Sequence, residues 1–199
     1  EDDYGFFMDG GTQSWAWSEE RLRDNLTQIQ SRLREEDANV YFLQEVDFDS
    51  TRTYHVNEAD LLRNYHGLEA DTDSVFAVNY DSPFLFYPFV RPHGASRSGL
   101  LTVSSLTVES ALRRSLPVET GFTKLLDLDR CYSVTRIPVD NGKTLCLYDL
   151  HLSAYTSDGK IADEQLEMLL AHMQKEYENG NYVVGGGDFN KDLLGNSGE

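Results

Sequence analysis

Near the end of this 199-residue chain, Asn181 to Asp192 read "NYVVGGGDFNKD". Tyr182, Val183 and Val184 have the aromatic and β-branched character of a strand. The run then enters three glycines and sets a carboxylate, Asp188, and an amide, Asn190, two residues apart. Glycine inside a strand marks a place where another backbone or a ligand comes close. Asp and Asn beyond it have two readings. They are ordinary turn formers that hydrogen-bond their own backbone, or they are polar groups delivered to a site at a strand end.

Two other strand ends pose the same choice. "VYFLQEVD", Val40 to Asp47, runs apolar as far as Leu43 and then presents Gln44, Glu45 and Asp47, of which one acid could coordinate a cation. "CLYDLHLSA", Cys146 to Ala154, embeds Asp149 and His151 among leucines. Taken singly, Glu45 reads as a solvated strand end and His151 as a core histidine bonded to a backbone carbonyl. Gathered at one edge of a sheet, carboxylate, imidazole and amide would supply hard oxygen ligands for Mg²⁺ or Mn²⁺ and donors for a phosphoryl oxygen.

Outward from these ends, helical and strand patterns alternate without internal repeats. Leu22, Leu26, Ile29 and Leu33 recur at helical spacing and predict a helix from Ser18, its N-cap, to about Glu36. A second helix is predicted from Ile161 to about Asn179, closed at Gly180, and a short one starts at Asn57. Strands are expected at Asn39–Gln44, Ser74–Tyr80, Ser98–Val108, the two arms around Asn141-Gly142, and Asn181–Gly186. A two-residue Asn-Gly hairpin would set Cys146 opposite Ile137. Cys131 then lies roughly 20 Å along the strand from Ile137, beyond the ~7 Å Cα reach of a disulfide, so two free buried thiols are expected. Interleaved helices, strands and a hairpin predict one layered α/β domain with mixed sheets.

Composition narrows the partners. With 34 acidic against 17 basic side chains the formal charge is −17, which repels long nucleic acids unless a local basic groove overcomes it. No apolar run approaches the ~18 residues of a membrane span, and the greasiest stretch, "PFLFYPFV", is broken by Pro88. The chain therefore reads as soluble. Its opening "EDDYGFF" shows no leader, which leaves the compartment, cytoplasmic or exported, open.

The ordered set Gln44-Glu45, His151-Leu152 and Gly187-Asp188-Phe189-Asn190 resembles the endonuclease/exonuclease/phosphatase superfamily, DNase I-like in fold, from about Asn39 to Asp192. "SRSGLLTVSSLTVESALRRSLP", Ser96 to Pro117, is similar to that family's middle strand and following basic segment. The resemblance implies a four-layer α/β (α+β) sandwich, two central mixed β-sheets flanked by helices. It implies a divalent-metal-dependent phosphoesterase acting by direct attack of water. Glu45 would hold the Mg²⁺ or Mn²⁺, Asp188 would orient the water, Asn190 would fix that water or the phosphate, and His151 would bond a non-bridging oxygen. Family members also carry an Asn on a first strand and a late Asp-His pair. The resemblance therefore implies a single domain over residues 1–199 that lacks the first strand and the C-terminal segment. Taken as complete, it would be a poor catalyst with exposed sheet edges.

For the substrate, Arg91, Arg97, Arg113, Arg114 and Arg130 cluster in the middle of the chain. Arg97 and Arg130 are the preferred phosphate ligands, most of the others reading as surface charges. Asn79 and Tyr80, ending "SVFAVNY", are placed near the pocket; His55, His66, His93 and His172 are assigned no role. A small or lipid phosphoester suits the charge better than duplex DNA. The alternatives are a non-catalytic binding module on the same scaffold and a nuclease with a local basic groove.

Overall fold

The computed structural model describes residues 13–65, 72–118, 129–153 and 160–190; His66 lies outside them. Among the described residues are three α-helices, α1 (Glu19–Glu36), α2 (Glu58–Arg63) and α3 (Lys160–Glu178), and seven strands, five of them consecutive between α2 and α3. The strands are β1 (Val40–Ser50), β2 (Asp73–Leu85), β3 (Gly94–Ser104), β4 (Ser110–Ser115), β5 (Cys131–Pro138), β6 (Thr144–His151) and β7 (Tyr182–Asp188). They form two sheets, ordered β1-β3-β2 and β4-β5-β6-β7. The first pairs antiparallel throughout its described strands, and the second is mixed because β6 and β7 run parallel. No helix of the described residues is long and apolar enough to cross a membrane.

The helix signals act as the physics of helix ends requires. Ser18 Oγ accepts from the Arg21 amide at 3.1 Å and caps α1. Asn57 Oδ1 does the same for Asp60 at 2.9 Å in α2. At the end of α3 the Gly180 and Asn181 amides turn back onto Tyr177 and Glu176 carbonyls, at 2.9 and 3.1 Å.

Strand alternation then builds four layers. Leu26 and Leu33 of α1 and Ala59 and Leu62 of α2 pack on Val46, Leu101 and Val103. Leu169 of α3 packs with Tyr132, Val134, Cys146, Tyr148 and Leu150 of the second sheet. The opposite faces of β3, β5 and β6 meet between the sheets, and that inner layer is largely polar: Thr102, Ser133, Thr135, Asp149 and His151 are all buried there. Expected helices on sheets therefore occur, with a polar seam where an oily one is usual, bonded across the sheets at Asp149 by Gln44 and Thr102.

Two expectations change. Arg136, not Ile137, pairs with Cys146. The hairpin closes through a three-residue loop, Val139 N donating to Lys143 O at 3.0 Å, with Gly142 at φ +76°. A one-residue shift moves a side chain to the other face. Cys146 accordingly joins the α3 core while Cys131 packs with Ala77 and Leu100 between the sheets, and both thiols are free and buried. The segment expected as one strand from Ser98 to Val108 instead stops at Ser104, and "SALRRS" forms β4, an exposed edge strand. Its six exposed, arginine-bearing residues hide the two-residue period that a half-buried strand shows.

Candidate functional site

The parallel pairing of β6 with β7 sets His151 directly beside Asp188 at their C-terminal ends. His151 is buried, whereas half of the Asp188 side chain faces solvent. The imidazole Nε2 lies 3.8 Å from Asp188 Oδ2, too long for a direct hydrogen bond. Asp188 Oδ1 is used locally and accepts from the Asn190 amide at 2.8 Å. Asn190 Nδ2 donates to Leu152 O at 2.8 Å, which pins the residues after β7 to those after β6. His151, Asp188 and Asn190 thus come together, and one of the two readings of Asp188 as a turn former holds alongside its placement at a strand end.

The glycines have a specific task. A Cβ on Gly187, which sits at φ +138°, would meet Leu150 O at 2.1 Å, so only glycine lets β7 reach Asp188 in register. One residue earlier, the Phe42 ring of β1 packs 3.2 Å from where a Gly186 Cβ would stand, bringing the first sheet down onto β7.

Gln44 brings the middle of β1 to the same region, since β1 continues past the expected strand end to Ser50. Its Nε2 donates to Asp149 Oδ1 at 2.7 Å, and Thr102 Oγ1 donates to Asp149 Oδ2 at 3.1 Å. Asp149 is fully buried two residues before His151 on the same strand face. Burial pushes its carboxyl up to about 7, against the lowering effect of the Gln44 and Thr102 hydrogen bonds. This clip between the sheets was not foreseen. Its one signal in the sequence was the i, i+2 spacing of Asp149 and His151.

Glu45 follows at a β-bulge: pairing with β3 shifts between Leu43 and Val46, and Glu45 adopts φ +58°. The extra residue lets Leu43 and Val46 both face the helices while Gln44 faces the second sheet. Glu45 itself is exposed and lines a cavity of about 220 Å³ with Trp17, Arg21, Asp47, Arg52 and Glu58. Glu45 lies on β1 of the first sheet, and His151 and Asp188 on β6 and β7 of the second. Asp47, the other acid considered for a cation, is buried and committed to structure. Arg52 Nε and Nη2 each bond its carboxylate at 2.9 Å, and Thr53 Oγ1 adds a third bond at 2.9 Å. Glu58 receives the Asp47 amide at 2.9 Å, and burial followed by repulsion from Asp47 raises its carboxyl to about 7.

The arginines and Asn79 divide differently from expectation. Asn79 is buried, and its Oδ1 accepts from the Cys131 amide at 2.8 Å, so it ties β2 to β5. Its Oδ1 is thereby engaged in structure. Arg130 beside it is also buried. Arg113 bonds Val78 O and Asp129 O at 2.7 and 2.8 Å. Arg97 is exposed, 5.6 Å over the Phe48 ring and 3.9 Å from Asp81. Tyr80 is half-buried on β2. His172 receives or donates a 3.0 Å bond with Tyr132 under α3, away from these groups.

No cluster of three or more His, Cys, Asp or Glu able to cage a metal occurs among the described residues. The donor set here, the exposed Glu45 carboxylate at the β1 bulge, fits an ion such as Mg²⁺, which keeps several waters and leans on one or two carboxylates plus a substrate phosphate.

Comparison with known proteins agrees with this architecture. The Endonuclease/Exonuclease/phosphatase family matches residues 16–194. Among solved structures, the catalytic domain of human Nocturnin with bound sulfate is 17% identical with a TM-score of 0.62, covering 86% of this chain and 58% of its own. A family protein from Leptotrichia buccalis is 17% identical with a TM-score of 0.61 over 91% of this chain and 65% of its own. ANGEL2, described as a 2′,3′-cyclic phosphatase, is 20% identical with a TM-score of 0.61 over 90% of this chain and 45% of its own. The chain thus spans less than two thirds of each neighbour's length. No curated protein sequence matches it.

Proposed function

The chain belongs to the endonuclease/exonuclease/phosphatase family, and from that premise we propose that it is a phosphoesterase hydrolysing a small or lipid phosphoester by direct attack of water, with Mg²⁺ or Mn²⁺ as cofactor. One observation carries the reading: a buried imidazole and a half-exposed carboxylate at neighbouring strand ends, 3.8 Å apart. That spacing lets each group serve its own partner, a water donating to Asp188 and a phosphoryl oxygen accepting from His151.

In this reading each residue has one task. Asp188 Oδ2 accepts a proton of the attacking water and aims its lone pair at phosphorus, while Oδ1 stays anchored on the Asn190 amide. His151, held in the wall, donates to a non-bridging oxygen as charge develops; a preorganised donor of this kind is worth ~3 kcal/mol. Asn190, its Nδ2 fixed by Leu152 O, offers its Oδ1 to the water. Glu45 would hold the divalent ion, which neutralises phosphate charge when bound. Its left-handed backbone, like that of Asn190 at φ +48°, is the kind of local strain that clusters at working sites. Arg97 is the exposed cation available to a substrate phosphate, and Arg130 supports from within the wall. The net charge favours a compact substrate over a long polyanion.

The test is turnover of bis-p-nitrophenyl phosphate and p-nitrophenyl phosphate by the intact protein with Mg²⁺ or Mn²⁺. Activity should vanish with EDTA and fall at least 100-fold in Glu45→Ala, Asp188→Ala and His151→Ala. Unchanged activity in Glu45→Ala and Asp188→Ala would sink the assignment of these residues. Inertness over a broad phosphoester panel would favour a binding module on this scaffold.

A further inference from the structure

The end of β2 and the segment linking it to β3 carry a set of side chains that no part of the site uses. Phe84, Phe86, Tyr87, Phe89 and Val90 are all exposed, Phe89 to 85% and Val90 completely. They are ordered among themselves: Phe84 and Phe86 stack edge to face with centroids 4.7 Å apart, and Tyr87 and Phe89 do the same at 5.8 Å. The base is pinned. Ser14 Oγ donates to Arg91 O at 2.7 Å, Trp15 Nε1 to Pro92 O at 2.8 Å, and the Arg91 guanidinium lies 4.6 Å from the Trp15 ring centroid. An apolar group of this size held in water is costly unless something covers it.

Its position relates it to the site. Val78 and Asn79 of β2 contact Cys131, which pairs with His151, so this part of β2 is level with the His151 end of β6. Four residues earlier in β2, Val75 pairs with Thr102, the partner of Asp149, two residues before His151. β2 therefore advances in the same sense as β6 and continues past His151 to Leu85, about 20 Å further at strand rise. The aromatic tip stands beyond the end of the sandwich that holds His151 and Asp188.

We propose that this β2–β3 tip docks the protein on a phospholipid bilayer surface, with the His151–Asp188 end turned toward the headgroups. Two features select a lipid surface over a protein. The five side chains offer roughly 600 Å² even if wholly covered, short of the about 800 Å² per partner that a stable protein interface buries, whereas a bilayer needs no complementary surface. The skirt of the tip is also nearly balanced, with Arg91 and Arg97 beside Asp81 and Asp49, in a chain whose net charge is −17. Aromatic side chains with nearby cations are what membrane interfaces retain, and a balanced skirt suits zwitterionic phosphatidylcholine. Docking itself rests on the tip; its use in bringing a lipid phosphoester to His151 and Asp188 rests on the function proposed above.

Flotation of the intact protein with phosphatidylcholine vesicles tests it without any turnover, so a failed phosphoesterase assay and a failed docking assay remain distinct results. The wild type should rise with the vesicles. The triple variant Phe86→Ser, Phe89→Ser, Val90→Ser should partition on the order of 100-fold less, with an unchanged melting curve and an unchanged rate on soluble phosphodiester. Phe86→Trp supplies a second readout, an emission blue shift on vesicle addition. A wild type that stays in the bottom fractions overturns the proposal, as does a triple variant that floats equally well. A wild type that sediments as a dimer, with the triple variant monomeric, would assign the tip to a second copy and also overturn it.

Discussion

Asp149→Asn isolates the clip that joins the two sheets beside the site. In the folded chain the Asp149 carboxyl is fully buried and titrates at about 7, against 3.8 ordinarily. A folded value above the unfolded one means that the native state holds the proton more tightly. Stability from this group is therefore complete below about pH 4 and is lost as the pH rises through about 7. The displacement corresponds to about 4 kcal/mol across that window. Asparagine preserves the shape and can still pair with Gln44 and Thr102, but it cannot ionise. Urea unfolding at pH 4, 5, 6, 7 and 8 should show the variant gaining on the wild type by 2–4 kcal/mol, on the order of that estimate, between pH 4 and 8. Any hydrogen bond weakened by the amide adds an offset that does not vary with pH. Parallel stability curves for the two proteins would refute the argument, because the charge of Asp149 would then cost the fold nothing.

Other perturbations separate structural from functional acids. Arg52→Ala leaves the buried Asp47 carboxylate without its two-point partner and should cost about 3 kcal/mol, read as a lower urea midpoint. Gly187→Ala drives a Cβ into Leu150 O and should destabilise by about 3 kcal/mol or more in thermal unfolding, whereas the same change at Gly142, where nothing lies within 4 Å, should cost only the strain of a positive φ, about 1 kcal/mol. Cys131 and Cys146 should react with a thiol reagent only after denaturation, since both are buried and burial pushes the Cys131 thiol up to about 11.

Much of this protein was legible from residue order alone, because the signals concerned are local. Periodic leucines after Ser18 could form only an amphipathic helix, and Asn57 and Gly180 marked helix ends through hydrogen bonds made within a few residues. Apolar runs that break at His151 and Asp188 located two strand ends, whereas the break at Gln44-Glu45 falls at a bulge inside β1, which runs on to Ser50. β4 escaped because an exposed edge strand has no buried face to imprint a period of two. The hairpin register missed by one residue because Asn141-Gly142 suits both a two-residue turn and the three-residue loop that forms.

What residue order could not decide is which polar groups meet. Asn79 and Arg97 carry equally plausible hydrogen-bonding groups in sequence, yet the packing of β2 on β5 engages the Oδ1 of the first and the start of β3 leaves the second in solvent. Asp47 and Glu45 differ by two positions, but a bulge and the approach of Arg52 bury one as an ion-pair partner and expose the other. The meeting of Gln44 with Asp149 across 105 residues exists only once two sheets stack, and that of His151 with Asp188 only once β6 and β7 pair in parallel within one sheet. Propensity and periodicity act over a few residues and so are written along the chain, whereas desolvation and hydrogen bonding between sheets depend on distances that the chain acquires only when it folds.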